Sequence, residues 1–367
     1  MSEPAPRGDR LAVLVAEAEL DVLLVGDLVR PGDSGPDAMA NVRWLTGFTG
    51  TSGFAVVGEG RREFVTDFRY TERARSDVSG DFERTTLEGR LVAELAGRLS
   101  GRVGFDEDST SVSSLRKLQE AMPDGASLIP ATGLVEKLRR IKDAKEIETI
   151  AEATRLADEV FEWLADRGMA GRTEREVAEA AQARMRELGS EPSFPAIVGA
   201  GPNGALPHSE PGERDIAAGE LVVVDMGAKV DGYCSDGTRT WATGEVSGEE
   251  REVYELVRAA QQASLEAIRA GVSGAEADRV SRDPIADAGR GDLYGHGLGH
   301  GVGLEVHEAP RLGKTSDDVL EAGDVVTVEP GVYVPGSFGV RIEDLVVVES
   351  DGARNLSTTS KELRIIG

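Results

Sequence analysis

The chain has 367 residues, of which 40% are hydrophobic and 29% are charged, values that are ordinary for a soluble globular protein. Its length predicts two domains, each large enough for its own core. The formal net charge of −25 argues against nucleic acid or an anionic membrane as partner, because either requires a basic surface. A single cysteine, Cys234, excludes an internal disulfide framework and is typical of the reducing cytosol. The polar N-terminus does not read as a signal peptide and no apolar stretch has membrane-spanning length, so we expect a soluble cytoplasmic protein.

The first third of the chain alternates short helix and strand patterns. Strands are predicted at residues 22–25, 54–57, 63–67 and 102–105, and helices at residues 10–19, 89–99 and 113–121. Such alternation predicts a small α/β domain. Because no cluster of catalytic residue types occurs there, residues 1–132 are interpreted as an accessory or oligomerisation domain.

From residue 133 onwards the sequence changes to long amphipathic helices. After the first of them, a second helix begins at the capping box Thr173-x-x-Glu176. The same order returns later, with capping boxes at Ser247-x-x-Glu250 and Ser273-x-x-Glu276. This repetition predicts a duplicated α+β domain over residues 133–367, with a pseudo-twofold axis.

Each half of this repeat contains a valine-rich strand that ends in a carboxylate. The first strand ends at Asp225 and the second at Glu329, and each is followed by another carboxylate, Asp236 and Glu343 respectively. A carboxylate at the inner end of a buried strand is costly to bury unless it is paired or binds a metal. The four carboxylates therefore predict the two halves of one metal site.

The chain has only four histidines, and they accompany the carboxylates. One precedes the first carboxylate strand and three fall within twelve positions ahead of the second: His208, then His296, His300 and His307. Oxygen ligands with one or two imidazoles and no thiolate suit Mn²⁺, Co²⁺, Zn²⁺ or Fe²⁺ better than a soft metal. Four carboxylates are too many for one ion that keeps an open position, and they predict two ions roughly 3.5–4 Å apart. Two such ions activate a bridging water and polarise a carbonyl, which predicts amide hydrolysis without a covalent intermediate.

These motifs resemble those of the M24 metallopeptidases, the "pita-bread" family that includes Xaa-Pro aminopeptidases and Xaa-Pro dipeptidases (prolidases). The stretches that carry the resemblance are residues 206–208, 224–227, 232–240, 296–303, 306–308, 328–331 and 340–344. Residues 44–50 and 66–70 are similar to the family's accessory domain. The resemblance implies an α+β fold, in which a duplicated pita-bread (creatinase/aminopeptidase) catalytic domain, residues 133–367, follows an α/β accessory domain, residues 1–132.

The resemblance also implies a role for each site residue. It implies that Asp225 and Asp236 bind one divalent ion and that His300 and Glu329 bind the other, with Asp236 and Glu343 bridging. Glu329 is further implied as a proton shuttle. His208 and His307 are implied to hold the scissile carbonyl and the tetrahedral intermediate, His296 to line the proline side of the pocket, and Arg341 to orient the site or the substrate carboxylate. Mn²⁺ is the expected ion, with Co²⁺ and Zn²⁺ as alternatives.

The implied activity is hydrolysis of the N-terminal Xaa-Pro bond of small peptides with proline in second position, as in an aminopeptidase P. The alternative is an Xaa-Pro dipeptidase (prolidase) restricted to dipeptides. A metal-free binding protein of the same fold is disfavoured, because every implied metal ligand is present in the chain. The family also implies a homodimer, in which the accessory domain packs against the partner's catalytic half.

Overall fold

The structure, a computed structural model, describes residues 5–28, 39–207 and 209–367. The chain divides into two compact units, Met1–Arg139 and Arg140–Gly367. The sequence-based domain boundary, between residues 132 and 133, lies shortly before this division. Within the described ranges, no helix combines the length and the apolarity that crossing a bilayer requires.

The first unit is built on a mixed sheet. Its strands are β1 (Val22–Val25), β2 (Phe54–Gly58), β3 (Arg61–Asp67), β4 (Glu83–Leu87), β5 (Arg102–Phe105) and β6 (Ser127–Pro130). Its helices are α1 (Arg7–Glu17), α2 (Ala40–Thr46), α3 (Thr71–Asp77), α4 (Leu91–Ala96), α5 (Val112–Ala121) and α6 (Leu134–Arg139), with a 3₁₀ turn at Phe68–Tyr70. The strand order is β4-β3-β2-β1-β5-β6, and β1 pairs antiparallel with β2 and parallel with β5.

The sequence of the first unit explains this arrangement. Every residue of β1 is buried, as expected for a central strand that is covered on both faces. Leu24 and Val56 of the sheet pack in one core with Leu95 of α4 and Leu118 of α5. The predicted α/β accessory domain is confirmed by this alternation of strands and helices.

The second unit contains the longer helices and several small sheets. Its helices are α7 (Ala144–Arg167), α8 (Glu174–Glu187), α9 (Gly248–Ala267) and α10 (Gly274–Asp287), with 3₁₀ turns at Gly201–Ala205 and Gly291–Leu293. Its first strands are β7 (Glu191–Pro192), β8 (Ile197–Ala200), β9 (Leu221–Asp225), β10 (Ala228–Val230), β11 (Tyr233–Cys234) and β12 (Thr238–Ala242). The later strands are β13 (Gly299–Gly301), β14 (Glu308–Leu312), β15 (Val325–Val328), β16 (Gly331–Val334), β17 (Phe338–Arg341), β18 (Asp344–Val348) and β19 (Ala353–Asn355).

The two halves of the second unit repeat the same plan. The three predicted capping boxes are present, at the starts of α8, α9 and α10. Thr173, the N-cap of α8, forms an antiparallel bridge with Asp215, and Ser273, the N-cap of α10, forms the same type of bridge with Val319. Each helix pair is followed by an antiparallel strand pair, β9 with β12 and β15 with β18. The duplication predicted from the sequence is therefore a structural repeat.

Both carboxylate-bearing strands are central strands. β9 lies between β8 and β12, and β15 lies between β13 and β18. Their valines are buried, which explains why each strand reads as an uninterrupted apolar run rather than an alternating one. The backbone N–H of Glu343 donates to the carbonyl of Thr238 at 3.1 Å and so joins the two strand pairs at the ends that carry the carboxylates.

Candidate active site

The four predicted carboxylates lie at equivalent ends of the two strand pairs. Asp225 is the last residue of β9 and pairs with Thr238, the first residue of β12, so that Asp236 lies just beyond the same end. In the second half, Glu329 follows the last residue of β15 and Glu343 precedes the first residue of β18, where Val328 pairs with Asp344. The repeat therefore brings two carboxylates from each half towards a common centre.

His300 completes this cluster. Asp236, His300 and Glu343 are all buried, and each offers a ligand atom within 4.8 Å of the others. Nε2 of His300 lies 3.6 Å from Oδ2 of Asp236 and 3.4 Å from Oε1 of Glu329. Nδ1 of His300 lies 3.0 Å from the carbonyl of Gly301, which can only accept, so Nδ1 carries the proton and Nε2 presents a lone pair to the carboxylates.

Glycines lie on both sides of His300 because neighbouring backbone leaves no space for a side chain at either position. A side chain at Gly299 would clash with the carbonyl of Thr327, and one at Gly301 would clash with the carbonyl of Ala309. Strand β13 therefore passes closely between β14 and β15, and only His300 projects from it into the cluster.

The electrostatics of the cluster are those of crowded, buried acids. Burial, followed by the charge of Asp225, raises the pKa of Asp236 well above its usual value. Burial, followed by the charge of Asp236, does the same to the pKa of Glu343. Burial raises the pKa of Glu329 to about 7 and lowers the pKa of His300 to about 3. Like charges at this spacing cannot all ionise without a compensating cation.

Two buried carboxylate oxygens indicate that a cation fits the cluster. Oδ1 of Asp225 and Oε1 of Glu343 are buried and have no hydrogen-bond partner among the described residues. A buried acceptor without a partner is costly, and a metal ion removes that cost. With Nε2 of His300, these oxygens form a donor set without a thiolate, which fits a divalent ion such as Mn²⁺, Co²⁺ or Zn²⁺.

Threonine hydroxyls orient two of the carboxylates, a contribution that the sequence reading missed. Thr238 donates to Oε2 of Glu343 at 2.7 Å, and Thr327 donates to Oε1 of Glu329 at 3.2 Å. Thr327 also accepts the backbone N–H of His300 at 3.0 Å. Thr238 lies two residues after Asp236 and Thr327 two residues before Glu329, so their position in the strand pattern was the available signal.

A hydrogen-bonded chain links Arg341 to His296 through Tyr333. Arg341, the last residue of β17, donates from Nη1 to Oη of Tyr333 at 2.8 Å, and Oη lies 2.8 Å from Nε2 of His296. Nδ1 of His296 donates to the carbonyl of Gly297 at 2.8 Å, so Nε2 accepts from Tyr333. Tyr333, which sequence reasoning also missed, thus holds the imidazole of His296 in one tautomer.

These residues open onto a cleft of about 1100 Å³. Its walls include Asp225, Asp236, His296, His300, His307, Glu329, Arg341 and Glu343. His307 is exposed, and its ring centroid is 4.3 Å from that of His300. The predicted residue His208 lies outside the described residues, although Pro207 and Ser209 line the cleft. Apart from His208, the structure thus brings all of the predicted site residues to one cleft.

Comparison with known families agrees with this architecture. Residues 148–350 match Metallopeptidase family M24, and residues 7–141 match the Creatinase/Prolidase N-terminal domain. The first match covers more than half of the chain. Both parts of the fold predicted from the sequence are therefore confirmed.

Individual relatives extend over nearly the whole chain. The uncharacterized peptidase YqhT of Bacillus subtilis is 41% identical over 345 residues, 91% of this chain and 97% of that protein. The Xaa-Pro dipeptidase of Pyrococcus horikoshii is 33% identical over 334 residues, 88% of this chain and 92% of that protein.

Solved structures give the same result. The Xaa-Pro dipeptidase from Bacillus anthracis superposes with a TM-score of 0.91 at 40% identity, covering 98% of each chain. The X-Pro aminopeptidase from Thermotoga maritima superposes with a TM-score of 0.87 at 33% identity, covering 98% of this chain and 99% of that one. The chain is therefore a hydrolase that belongs to metallopeptidase family M24.

Proposed function

We propose that this chain is a metal-dependent Xaa-Pro dipeptidase, a prolidase. The sequence favoured an aminopeptidase P type of activity, but the Xaa-Pro dipeptidases among the similar proteins support the dipeptidase alternative better. The observation that carries the proposal is the position of Arg311, an exposed cation in the cleft wall and the cross-strand neighbour of His300. A dipeptide carries its C-terminal carboxylate one residue beyond the scissile bond, which is where such a cation would bind it.

The metal ligands of this proposal are the residues of the buried cluster. Asp225 and Asp236 would hold one divalent ion and His300 and Glu329 the other, with Asp236 and Glu343 as the shared ligands. When bound, a pair of divalent ions supplies Lewis acidity and lowers the pKa of a water held between them. Support comes from one oxygen each of Asp225 and Glu343, which have no hydrogen-bond partner within the described ranges, and from the lone pair of His300 that faces the carboxylates.

The remaining residues bind the substrate and move protons. Glu329, whose Oε1 lies 3.4 Å from Nε2 of His300, would accept a proton from the nucleophile and pass it to the leaving nitrogen of proline. His307 donates a hydrogen bond to the carbonyl oxygen as negative charge develops there, and we assign the same role to His208. His296 bounds the pocket for the proline ring, and Arg341 holds Asp225 and Tyr333 in place.

Peptide length is the property that tests the proposal most directly. The metal-free protein is reconstituted with Mn²⁺, Co²⁺ or Zn²⁺, and hydrolysis of Ala-Pro, Ala-Pro-Ala and Ala-Ala is measured at equal concentrations. We expect rapid hydrolysis of Ala-Pro, slow hydrolysis of the tripeptide and little hydrolysis of Ala-Ala, with Mn²⁺ as the best activator. Comparable rates on Ala-Pro and Ala-Ala would contradict the proline requirement.

An Xaa-Pro aminopeptidase is the second candidate. A cleft of about 1100 Å³ is slightly larger than the range of about 300–1,000 Å³ that is typical of small-molecule sites, so it leaves room for a longer peptide. Efficient hydrolysis of Ala-Pro-Ala in the same assay would establish this candidate and remove the restriction to dipeptides.

We also propose a homodimer, which rests on the family resemblance, and a cytoplasmic location, which rests on the single cysteine. The dimer is tested by sedimentation of the active protein at micromolar concentration. A fully active monomer under those conditions would contradict it.

A further inference from the structure

The segment that carries His296 is anchored by an ion pair on helix α10. Asp278 and Arg282 lie one turn apart on this helix, with Nε of Arg282 2.6 Å from Oδ2 and Nη2 2.7 Å from Oδ1 of Asp278. The side chain of Asp278 is fully buried and that of Arg282 is 11% exposed. A buried bidentate pair of this kind is favourable only when its remaining hydrogen-bonding atoms also find partners.

Those partners are backbone groups of the segment ahead of β13. Arg282 donates from Nη1 to the carbonyl of Tyr294 at 2.9 Å and from Nη2 to the carbonyl of His296 at 2.6 Å. The backbone N–H of Leu298 donates to Oδ1 of Asp278 at 3.0 Å. The guanidinium also lies 4.0 Å from the centroid of the Tyr294 ring, a cation–π contact.

This segment has little other regular structure to hold it. It follows the 3₁₀ turn Gly291–Leu293 and ends where β13 begins, at Gly299. The ion pair satisfies three of its backbone polar groups, at Tyr294, His296 and Leu298. The backbone of His296 is thus held by helix α10, while its imidazole is held by the hydroxyl of Tyr333.

We propose that Asp278 and Arg282 are a positioning pair that determines proline specificity by holding His296 against the proline pocket. The inference rests on the proposed function, in which His296 bounds that pocket. Arg282 lines the cleft, but four of its N–H groups already donate to Asp278, Tyr294 and His296. Arg282 therefore acts through His296 and does not need to contact the substrate.

The expected consequence is selective. A catalytic or binding group that moves by about 1 Å loses on the order of 10² in rate, so a displaced His296 slows the substrate that depends on it. Ala-Ala has no ring to fill the pocket and loses less. Breaking the ion pair between Asp278 and Arg282 therefore lowers the ratio of kcat/KM for Ala-Pro to kcat/KM for Ala-Ala. General damage to the fold would instead lower kcat/KM for the two substrates together.

The test compares Arg282→Gln with the wild-type enzyme, both reconstituted with Mn²⁺. We expect the Ala-Pro to Ala-Ala ratio to fall at least tenfold with unchanged metal content. Arg258→Gln is the matched control, because Arg258 pairs with Glu255 on α9 with side chains 34% and 45% exposed, and it should leave the ratio unchanged. A wild-type ratio in Arg282→Gln would overturn the proposal. If that variant does not fold, Arg282→Lys, which keeps the charge but loses the planar fork, replaces it with the same two outcomes.

A double-mutant cycle separates positioning from a direct effect. If Arg282 acts through His296, adding Arg282→Gln to His296→Ala leaves the ratio of the single His296→Ala variant unchanged. An additive loss in the double variant would overturn the proposed route. Wild-type enzyme without proline preference would refute the proposed function, whereas wild-type preference retained in the Arg282 variants would refute only this inference.

Discussion

Nη2 of Arg341 lies 2.5 Å from Oδ2 of Asp225, although the two residues are 116 positions apart and belong to opposite halves of the repeat. The guanidinium occupies one carboxylate oxygen and leaves Oδ1 buried without a hydrogen-bond partner among the described residues. A partner that fixes one oxygen orients the other, which is how neighbouring groups position a metal ligand. The orientation of Oδ1 of Asp225 is therefore set by an arginine from the other half of the repeat.

The first half of the repeat likewise supplies an arginine that binds an acidic residue of the second half. Arg239, on β12, donates from Nη2 to Oδ1 of Asp344 on β18 at 2.8 Å, and the side chains of both are almost completely buried. Arg239 also donates to the backbone carbonyl of Glu343. Since each half supplies an arginine that binds an acidic residue of the other, the two halves of the repeat form one site.

The first prediction concerns the shared carboxylates. Glu343→Gln and Asp236→Asn should abolish turnover and lower the metal content of the purified protein, because each removes a charge from the proposed shared position. The metal-stabilised fold should also lose thermal stability, since an ion that binds only the folded state stabilises it. Turnover, metal analysis and thermal unfolding are measured together.

Glu255→Gln is the control for these variants, because Glu255 is a carboxylate on α9 whose side chain is 45% exposed. It should leave turnover, metal content and unfolding temperature unchanged. Full activity of Glu343→Gln with two ions still bound would contradict the dinuclear assignment.

The second prediction concerns His307. His307→Ala should reduce kcat for Ala-Pro by about 10²–10³, the usual effect of removing one donor to a developing oxyanion. Metal content should be unchanged, since His307 is exposed and lies beside His300 without belonging to the buried cluster. A variant that loses metal along with activity would show that His307 supports the metal ligands rather than the carbonyl.

The sequence predicts those parts of the structure that depend on local pattern. A central strand must be apolar, so a carboxylate at the end of a valine run, such as Asp225 or Glu329, is conspicuous in the sequence. Capping boxes are equally local. Helices α2 and α3 were missed because each has only seven residues, which is too short to show the apolar periodicity of a helix.

The supporting contacts could not be predicted, because they join distant positions. Thr238 and Glu343 are 105 residues apart, and Thr238 also accepts from Nε of Arg341 at 3.0 Å. Asp278 and Arg282 have the spacing of an ordinary ion pair within a helix, and only the fold shows that they hold the backbone of His296. Sequence patterns identify residues with unusual chemistry, whereas their supporting partners have common residue types and are recognised only by proximity.

The third prediction tests Arg311 as the ligand of the substrate carboxylate. Arg311→Gln should raise KM for Ala-Pro by roughly 10- to 100-fold, the scale of a lost charge-assisted hydrogen bond. The amide Ala-Pro-NH₂ has no carboxylate, so its KM should hardly change. Lys314→Gln is the matched control, because Lys314 is another exposed cation in the same cleft wall. Equal effects of Arg311→Gln on the acid and the amide would contradict the proposed contact.

The last prediction concerns the pH dependence of stability in the metal-free protein. Burial raises the pKa of Glu329 from 4.5 to about 7. Below pH 4.5 this carboxyl is protonated in both the folded and the unfolded chain. As the pH rises from about 4.5 to about 7, the unfolded chain ionises while the folded chain retains its proton, so the stability contributed by the protonated group is lost. Glu329→Gln lacks this contribution, whereas the contributions of Asp236 and Glu343, whose pKa values burial also raises, are present in both proteins.

Chemical denaturation of both proteins in EDTA at pH 5 and pH 8 measures this difference. We expect the free energy of unfolding of the wild type, relative to Glu329→Gln, to be lower at pH 8 than at pH 5. Glu210→Gln, which removes an exposed carboxylate from the same cleft, is the matched control. If the difference between wild type and Glu329→Gln were the same at both pH values, Glu329 would not hold a proton near neutral pH in the metal-free protein. The crowding of buried acids that makes a bound cation favourable would then not extend to Glu329.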